Sequence, residues 1–144
     1  MHKSQNLTFF TPKITKGLDA IFYDTGISAG FPSPTEDLKE QRLSLDKELI
    51  KNKEATFFAR VSGQSMIGAG LDDNDLLVID RSMEPSNNKI AVCFLDGKFT
   101  VKRLKVDKNE VWLQPENPNY PIIKITSEND FIIWGIVTNV IKRV

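Results

Sequence analysis

From residue 55 onward the sequence consists of short apolar runs separated by turns, and no long helical segment lies between them. The runs span residues 55–61, 76–80, 90–95, 99–105, 111–114, 122–125 and 131–140. Strands at this spacing, without intervening helices, are typical of antiparallel all-β domains. We therefore expect a mainly β fold, with a compact antiparallel β domain at residues 30–144, an extended N-terminal arm and one or two short helices.

Two of these runs can be placed in register with each other. Asp96-Gly97 lies between them and is a strong hairpin signal, because both residue types accept the positive φ of a tight turn. Counting outward from a two-residue loop puts Ala91 opposite Lys102, with Cys93, Thr100 and Leu104 on the same face. Lys102 is therefore predicted to lie among small or apolar side chains, unlike most lysines of a soluble protein.

Residues 1–29 differ in character from the rest of the chain. They contain the aromatic residues Phe9, Phe10, Phe22 and Tyr23, but they show neither a helical nor a strand period. Prolines and glycines interrupt the segment. We interpret it as an extended arm that packs through its aromatic side chains, and a partly disordered tail is the alternative.

Two short helices are predicted between the arm and the first apolar run. Ser33-Pro34-Thr35-Glu36 combines a capping serine, a proline at the first helical position and a capping-box glutamate, so a helix is expected to run to about Arg42. A second helical segment is expected at residues 45–51, capped by Ser44 or Asp46. Three of its apolar residues are expected to face inward: Leu45, Leu49 and Ile50.

Composition excludes several classes of function. A chain of 144 residues suffices for one domain with a real core, and its zero formal net charge argues against direct binding of nucleic acid. The single cysteine, Cys93, excludes an internal disulfide and fits a reducing compartment. No apolar run reaches membrane-spanning length, and the N-terminus lacks a secretory h-region. We expect a cytoplasmic protein with no cofactor, no metal and no membrane contact.

One serine and one lysine form a candidate catalytic pair. Ser65 follows a glycine at the end of the first apolar run, and the only histidine is His2, so a histidine-dependent triad is not expected. Lys102 could replace histidine as the base if burial lowers its pKa from about 10.4 by two to three units. The amides of Gln64 and Ser65 are candidates for an oxyanion hole. Taken locally, a loop serine and a solvated lysine remain the ordinary interpretation.

Six segments carry a resemblance to a known family. They are Ala29-Gly30-Phe31-Pro32-Ser33-Pro34, Ser62-Gly63-Gln64-Ser65-Met66, Asp75-Leu76-Leu77-Val78-Ile79-Asp80, Asp96-Gly97-Lys98-Phe99-Thr100-Val101-Lys102-Arg103-Leu104, Pro115-Glu116-Asn117-Pro118 and Trp134-Gly135-Ile136-Val137. Together they resemble the UmuD/LexA family of self-cleaving serine–lysine peptidases, over residues 30 to about 143. The small residue before glycine, the Ser-Gly-x-Ser-Met motif and the Phe-Thr-Val-Lys motif, in that order, are highly specific as a set.

The resemblance implies a function and assigns roles within it. It implies that Ser65 is the nucleophile, that Lys102 is its general base and that Ala29–Gly30 is the scissile bond, so that cleavage removes the first 29 residues. It implies a homodimer with a mostly β peptidase domain. It further implies that a RecA filament on single-stranded DNA stimulates the cut during DNA damage. The shortened form then joins a UmuC-type Y-family polymerase for error-prone translesion synthesis.

Other functions share some of these features. A LexA-like repressor carries a whole DNA-binding domain before the cut, whereas the 29 residues here show no helix-turn-helix pattern. A signal-peptidase-like enzyme shares the serine–lysine chemistry but has a membrane anchor. A non-enzymatic, β-rich dimeric regulatory or binding module, with Ser65 and Lys102 vestigial, is the remaining alternative.

Overall fold

The computed structural model describes residues 6–13, 20–23 and 40–144. Two compact units divide the chain: the larger comprises Met1–Pro12 and Asn52–Val144, and the smaller comprises Lys13–Lys51. The candidate scissile bond Ala29–Gly30 and the helix start predicted at residues 33–36 lie outside the described residues. A boundary between an arm and a domain at residue 29 therefore stays a prediction.

Within the described residues, ten strands form two antiparallel sheets. The strands are β1 Asn6–Phe10, β2 Ala20–Tyr23, β3 Glu40–Leu43, β4 Thr56–Ser62, β5 Leu76–Asp80, β6 Ile90–Leu95, β7 Lys98–Asp107, β8 Glu110–Gln114, β9 Ile123–Lys124 and β10 Phe131–Ile141. Eight of them, all in the larger unit, form one sheet in the order β1-β4-β5-β10-β6-β7-β8-β9. Every apolar run predicted as a strand contributes to this sheet, so the mainly β prediction is confirmed.

The hairpin between β6 and β7 has the predicted register. Leu95 pairs with Lys98, and Ala91 lies opposite Lys102. The turn residues Asp96 and Gly97 have φ values of 48° and 88°. Positive φ at both central positions gives a two-residue turn the twist that matches its strands, which explains why this dipeptide fixes the register.

The sheet curls so that its first strand meets a distant one. The ring of Phe9 in β1 lies 4.9 Å from the ring of Phe99 in β7 and 4.8 Å from that of Trp134 in β10. Four strands separate β1 from β7 in the sheet order, so only a curled sheet permits this contact. The part of the N-terminal segment described at residues 6–10 is therefore a strand with a packed aromatic side chain.

The curled sheet encloses two clusters of buried side chains. The first contains Ala59, Val61, Met66, Leu71, Leu77, Ile79, Val92 and Val101. The second contains Ala91, Cys93, Leu104, Leu113 and Ile136. β7 contributes Val101 to one cluster and Leu104 to the other, and Lys102 between them is buried as well.

The smaller unit corrects two predictions. Glu40–Leu43 is a strand paired with Ala20–Tyr23, so a helix reaching Arg42 is wrong for residues 40–42. Backbone pairing with a segment some twenty residues away outweighs the local helix signal there, because a capping box marks where a helix starts and not how far it runs.

The second predicted helix is present as α1, Leu45–Leu49, and Ser44 is its cap. The prediction that Leu45 faces inward is wrong, since this side chain is 59% exposed. Leu49 and Ile50 are half-buried. A helix of five residues has little more than one turn, so it cannot direct all three apolar side chains to one face.

Candidate active site

The loop after β4 holds Ser65 in a fixed, buried position. Gly63 ends the strand with a φ of 113°, and its amide donates to the carboxylate of Asp73 at 3.0 Å. Met66 is fully buried and precedes a short 3₁₀ helix at Ile67–Ala69, so its side chain anchors the loop in the core. Ser65 itself is only 1% exposed.

Strand β7 brings Lys102 into the same interior. Its side chain is 5% exposed, although lysine is rarely buried in folded proteins. The neighbouring Arg103 points to the opposite face and forms an ion pair with Glu116. The alternation of side chains along a strand thus separates two adjacent cations into different environments.

The two candidate residues are in direct contact. The Nζ atom of Lys102 lies 3.0 Å from Oγ of Ser65. The same nitrogen donates to Oγ1 of Thr100 at 2.7 Å and to the carbonyl oxygen of Val101 at 3.1 Å. The amine therefore has polar partners in an otherwise apolar interior, and the sequence did not single out Thr100 or the Val101 carbonyl as its partners.

Burial lowers the pKa of Lys102 to about 8. The cause is loss of hydration, which disfavours the ammonium form, and only a small opposing effect comes from Cys93. Burial likewise raises the pKa of the Cys93 thiol to about 12, so this thiol is neutral when the amine titrates. The amine can therefore lose its proton at mildly alkaline pH while the rest of the pocket stays uncharged.

The candidate oxyanion amides lie at the start of the serine loop. The carbonyl oxygen of Gln64 accepts a hydrogen bond of 2.9 Å from the side-chain amide of Asn117. The peptide unit that carries this carbonyl also carries the amide of Ser65. The orientation of one candidate donor is therefore held by Asn117, a residue that no local pattern of the sequence singles out.

The loop at residues 115–119 is joined to the serine loop by further contacts. The amide of Gly68 donates to the carbonyl oxygen of Glu116 at 2.7 Å, and the amide of Glu116 lies 3.4 Å from the sulfur of Met66. A Cβ atom on Gly68 would come within 2.6 Å of that carbonyl oxygen, so only glycine permits this approach. The two loops are therefore joined by backbone contacts at Gly68 and Glu116.

An open cavity of about 600 Å³ borders these loops. It is lined by Gly68, Gln114, Pro115, Glu116, Asn117, Pro118, Tyr120 and Ile122. The lining combines apolar and aromatic residues with the polar Gln114, Glu116 and Asn117, and it includes neither Ser65 nor Lys102. The cavity thus provides a cleft adjacent to the serine loop.

Comparison with known proteins places the chain in a family. Residues 21–138 match the family described as Peptidase S24-like. The chain belongs to the S24-like peptidase family. This membership confirms the resemblance to the UmuD/LexA peptidases, and it agrees with the mainly β fold. The family indicates peptidase chemistry in general.

Curated relatives support the same membership. Protein MucA of Salmonella typhimurium is 41% identical over 119 residues, covering 82% of this chain and 81% of that protein. Protein ImpA of Salmonella typhimurium is 44% identical over 115 residues, covering 80% and 78%. LexA repressor 1 of Geobacter sulfurreducens is 35% identical over 117 residues, covering 81% of this chain and 57% of the repressor.

The structure also bears on metal sites and on membrane-spanning helices. Within residues 6–13, 20–23 and 40–144, no three His, Cys, Asp or Glu side chains are grouped as metal ligands would be. No helix in that part of the chain is long and apolar enough to cross a membrane.

Proposed function

We propose that this protein is a self-cleaving serine peptidase in which Ser65 is the nucleophile and Lys102 the general base. The observation that carries the proposal is the 3.0 Å contact between a buried amine and a buried hydroxyl. The lowered pKa of Lys102 supplies the second requirement, because only the neutral amine can accept a proton. S24-like membership supports the same chemistry.

In the proposed reactive form the amine of Lys102 is neutral and keeps all three of its contacts. A neutral amine has two N–H donors and one lone pair, whereas an ammonium has three donors. The Val101 carbonyl can only accept a hydrogen bond, so it takes one N–H, and the hydroxyl of Thr100 takes the other. The lone pair is then directed at the hydroxyl of Ser65, which is the geometry for removing its proton.

The proposed reaction has two steps. Lys102 takes the hydroxyl proton as Oγ of Ser65 attacks the carbonyl carbon of Ala29, and the amides of Gln64 and Ser65 stabilise the resulting oxyanion. The C–N bond to Gly30 then breaks, and the leaving amine receives the proton from Lys102. Water, deprotonated by the same lysine, hydrolyses the acyl-enzyme ester and regenerates Ser65.

The proposed role is in SOS mutagenesis. In it, a RecA filament on single-stranded DNA stimulates cleavage, and the shortened cytoplasmic homodimer becomes the accessory subunit of a UmuC-type Y-family translesion polymerase. The similarity to MucA and ImpA over about 80% of the chain supports the choice of this branch of the family. The protein itself makes no direct contact with nucleic acid in this proposal, in keeping with its zero formal net charge.

Intact-mass measurement of the purified protein at pH 7 to 10 tests the proposal. The expected product is a fragment beginning at Gly30, formed at a rate that rises with pH and levels off above about pH 8. Ser65→Ala and Lys102→Ala should each abolish the fragment. Matched controls are Ser62→Ala at the end of β4, three residues before Ser65, and Lys98→Ala on the strand that carries Lys102, and both should cleave normally.

Two results would contradict the proposal. The assignment of roles is wrong if either variant, Ser65→Ala or Lys102→Ala, still produces the fragment. If the wild-type chain stays intact across this pH range, both alone and with a RecA filament on single-stranded DNA, the peptidase function is wrong. The non-enzymatic dimeric module then becomes the better interpretation.

A further inference from the structure

Asn117 is a buried polar residue that the proposed reaction does not use directly. Its side chain is 7% exposed, although asparagine is mostly exposed in folded proteins. It belongs to the loop at residues 115–119, which contacts the serine loop at Met66 and Gly68. Burial of a polar side chain is costly unless it is hydrogen-bonded, so its partners indicate what it does.

The two partners of Asn117 fix the orientation of its side-chain amide. The Oδ1 atom accepts from the backbone N–H of Asn119 at 3.0 Å, and a backbone N–H can only donate. The Nδ2 atom donates to the carbonyl oxygen of Gln64 at 2.9 Å, and a carbonyl can only accept. A flipped amide would set donor against donor and acceptor against acceptor, so only one orientation satisfies both contacts.

The contact with Gln64 determines the direction of an amide of Ser65. The carbonyl of Gln64 and the N–H of Ser65 belong to one planar trans peptide unit, in which the two bonds point in opposite directions. Because Asn117 holds the carbonyl on its own side, the N–H of Ser65 points away from Asn117. This N–H is one of the two donors assigned above to the oxyanion.

The loop that carries Asn117 is also tied to the strand that carries the proposed base. Glu116 forms an ion pair with Arg103, the residue next to Lys102 in β7. Its carbonyl oxygen accepts from Gly68 in the serine loop. The residue before Asn117 therefore contacts both β7 and the serine loop. These contacts keep the side-chain amide of Asn117 next to the Gln64–Ser65 peptide unit.

We propose that Asn117 is a positioning residue that orients the Ser65 amide as an oxyanion donor. The inference rests on the proposed function and deepens it. A misdirected donor stabilises the transition state less, and loss of one oxyanion donor costs roughly 10²- to 10³-fold in rate. Asn117 itself touches neither the scissile bond nor the reacting atoms in this account.

Two substitutions separate this role from that of a simple turn residue. Asn117→Ala removes both side-chain contacts. Asn117→Asp has the same shape and keeps an oxygen for the N–H of Asn119, but at alkaline pH it has no donor for Gln64. The matched control is Asn119→Ala, since Asn119 is exposed and takes part only through its backbone.

The measurements are the pH–rate profile of self-cleavage and the unfolding temperature. For Asn117→Ala, the plateau rate should fall by about tenfold or more, and the midpoint should stay at the wild-type pH, because Lys102 remains buried. Asn117→Asp should lose a similar factor in its plateau. Only its plateau is compared, since an added carboxylate favours the ammonium form of Lys102. Asn119→Ala should match the wild type.

Other outcomes overturn the inference. Wild-type plateau rates in both Asn117 variants mean that the amide contact does not orient a catalytic donor. A midpoint for Asn117→Ala shifted toward pH 10.5, with a lower unfolding temperature, means that the site has opened to water and that the role is only structural. If the wild-type chain itself does not cleave, the proposed function fails, and this inference fails with it. If the wild-type chain cleaves and only the Asn117 variants lose rate, the proposed function and this inference both stand.

Discussion

Two lysines, one in the large sheet and one just after its last strand, have pKa values shifted in opposite directions. Lys102 in β7 is buried, and loss of hydration lowers its pKa to about 8. Lys142 follows β10 at the surface, where the hydrogen bonds that its ammonium donates to the carboxylates of Asp72 and Asp75 raise its pKa. The same side chain is therefore a candidate base in one region and a permanent cation in the other.

The two pKa values differ because the polar groups that contact each lysine differ in charge. Lys102 contacts the hydroxyl of Thr100 and the carbonyl of Val101 in β7 and the hydroxyl of Ser65 in the serine loop, and none of these groups carries a charge. The loop before β5 places two carboxylates next to Lys142. A lysine can act as a base at mild pH only where neutral dipoles, rather than carboxylates, replace its water.

Exchange of each lysine for arginine should give the largest contrast. Arginine keeps its charge in proteins, so Lys102→Arg leaves no base, and self-cleavage should fall by at least about 10²-fold at every pH. Lys142→Arg keeps the cation beside Asp72 and should cleave at the wild-type rate. Intact-mass measurement of fragment formation gives the cleavage rate of each variant. Equal rates for Lys102→Arg and Lys142→Arg would show that Lys102 is not the base.

Lys102→Met should stabilise the folded protein at neutral pH. A pKa lowered from 10.5 to about 8 corresponds to about 3 kcal/mol, which the native state loses when it holds the ammonium form. Methionine removes that cost but also the contacts to Thr100 and Val101, so a gain of about 1–3 kcal/mol is expected at pH 7.

The sign of the pH dependence provides the check on that variant. Between pH 8 and 10.5 the unfolded chain binds a proton at Lys102 that the native state does not, so wild-type stability rises with pH in this window. The advantage of Lys102→Met should therefore shrink to near zero by pH 10.5, as measured by urea unfolding. An advantage that is absent at pH 7, or constant with pH, would show that Lys102 is not desolvated.

Short-range patterns predicted the surroundings of Lys102 but not those of Ser65. Asp96-Gly97 sets the register of β6 and β7 through turn geometry alone, so the burial of Lys102 opposite Ala91 followed from counting residues. The position of Ser65 next to Lys102 depends on loop contacts with residues 116 and 117, about fifty positions away. The role of that distant loop could not be read from the spacing of polar and apolar residues.

The N-terminal segment shows the same limit of local patterns. β1 pairs with β4, some fifty residues further along the chain, and β3 pairs with β2 where the sequence predicted the end of a helix. In both cases, pairing with a strand distant in the sequence determines the structure. The residues of the segment itself do not indicate which strand that is. The turn at residues 72–75, by contrast, is closed locally, since the amide of Asp75 donates to the carbonyl oxygen of Asp72 at 3.2 Å.

Neutralisation of Lys142 should have the smallest effect. In Lys142→Gln the amide can still reach Asp72 and Asp75, and exposed ion pairs contribute little to stability in salt. The rate of self-cleavage should stay within about twofold of the wild type, since burial, and not the charge of Lys142, shifts the pKa of Lys102. A larger loss would mean that the two regions are coupled.

Direct titration of the Lys102 amine tests the central claim. The ¹³Cε chemical shift of labelled lysine can be followed by NMR against pH in the Ser65→Ala chain, which stays uncut, with Lys102→Met used to assign the signal. A midpoint near pH 8 is expected for Lys102, and one above pH 10.5 for Lys142. A midpoint near 10.5 for Lys102 would contradict the account, because the amine would then be protonated at the pH where it must act as a base.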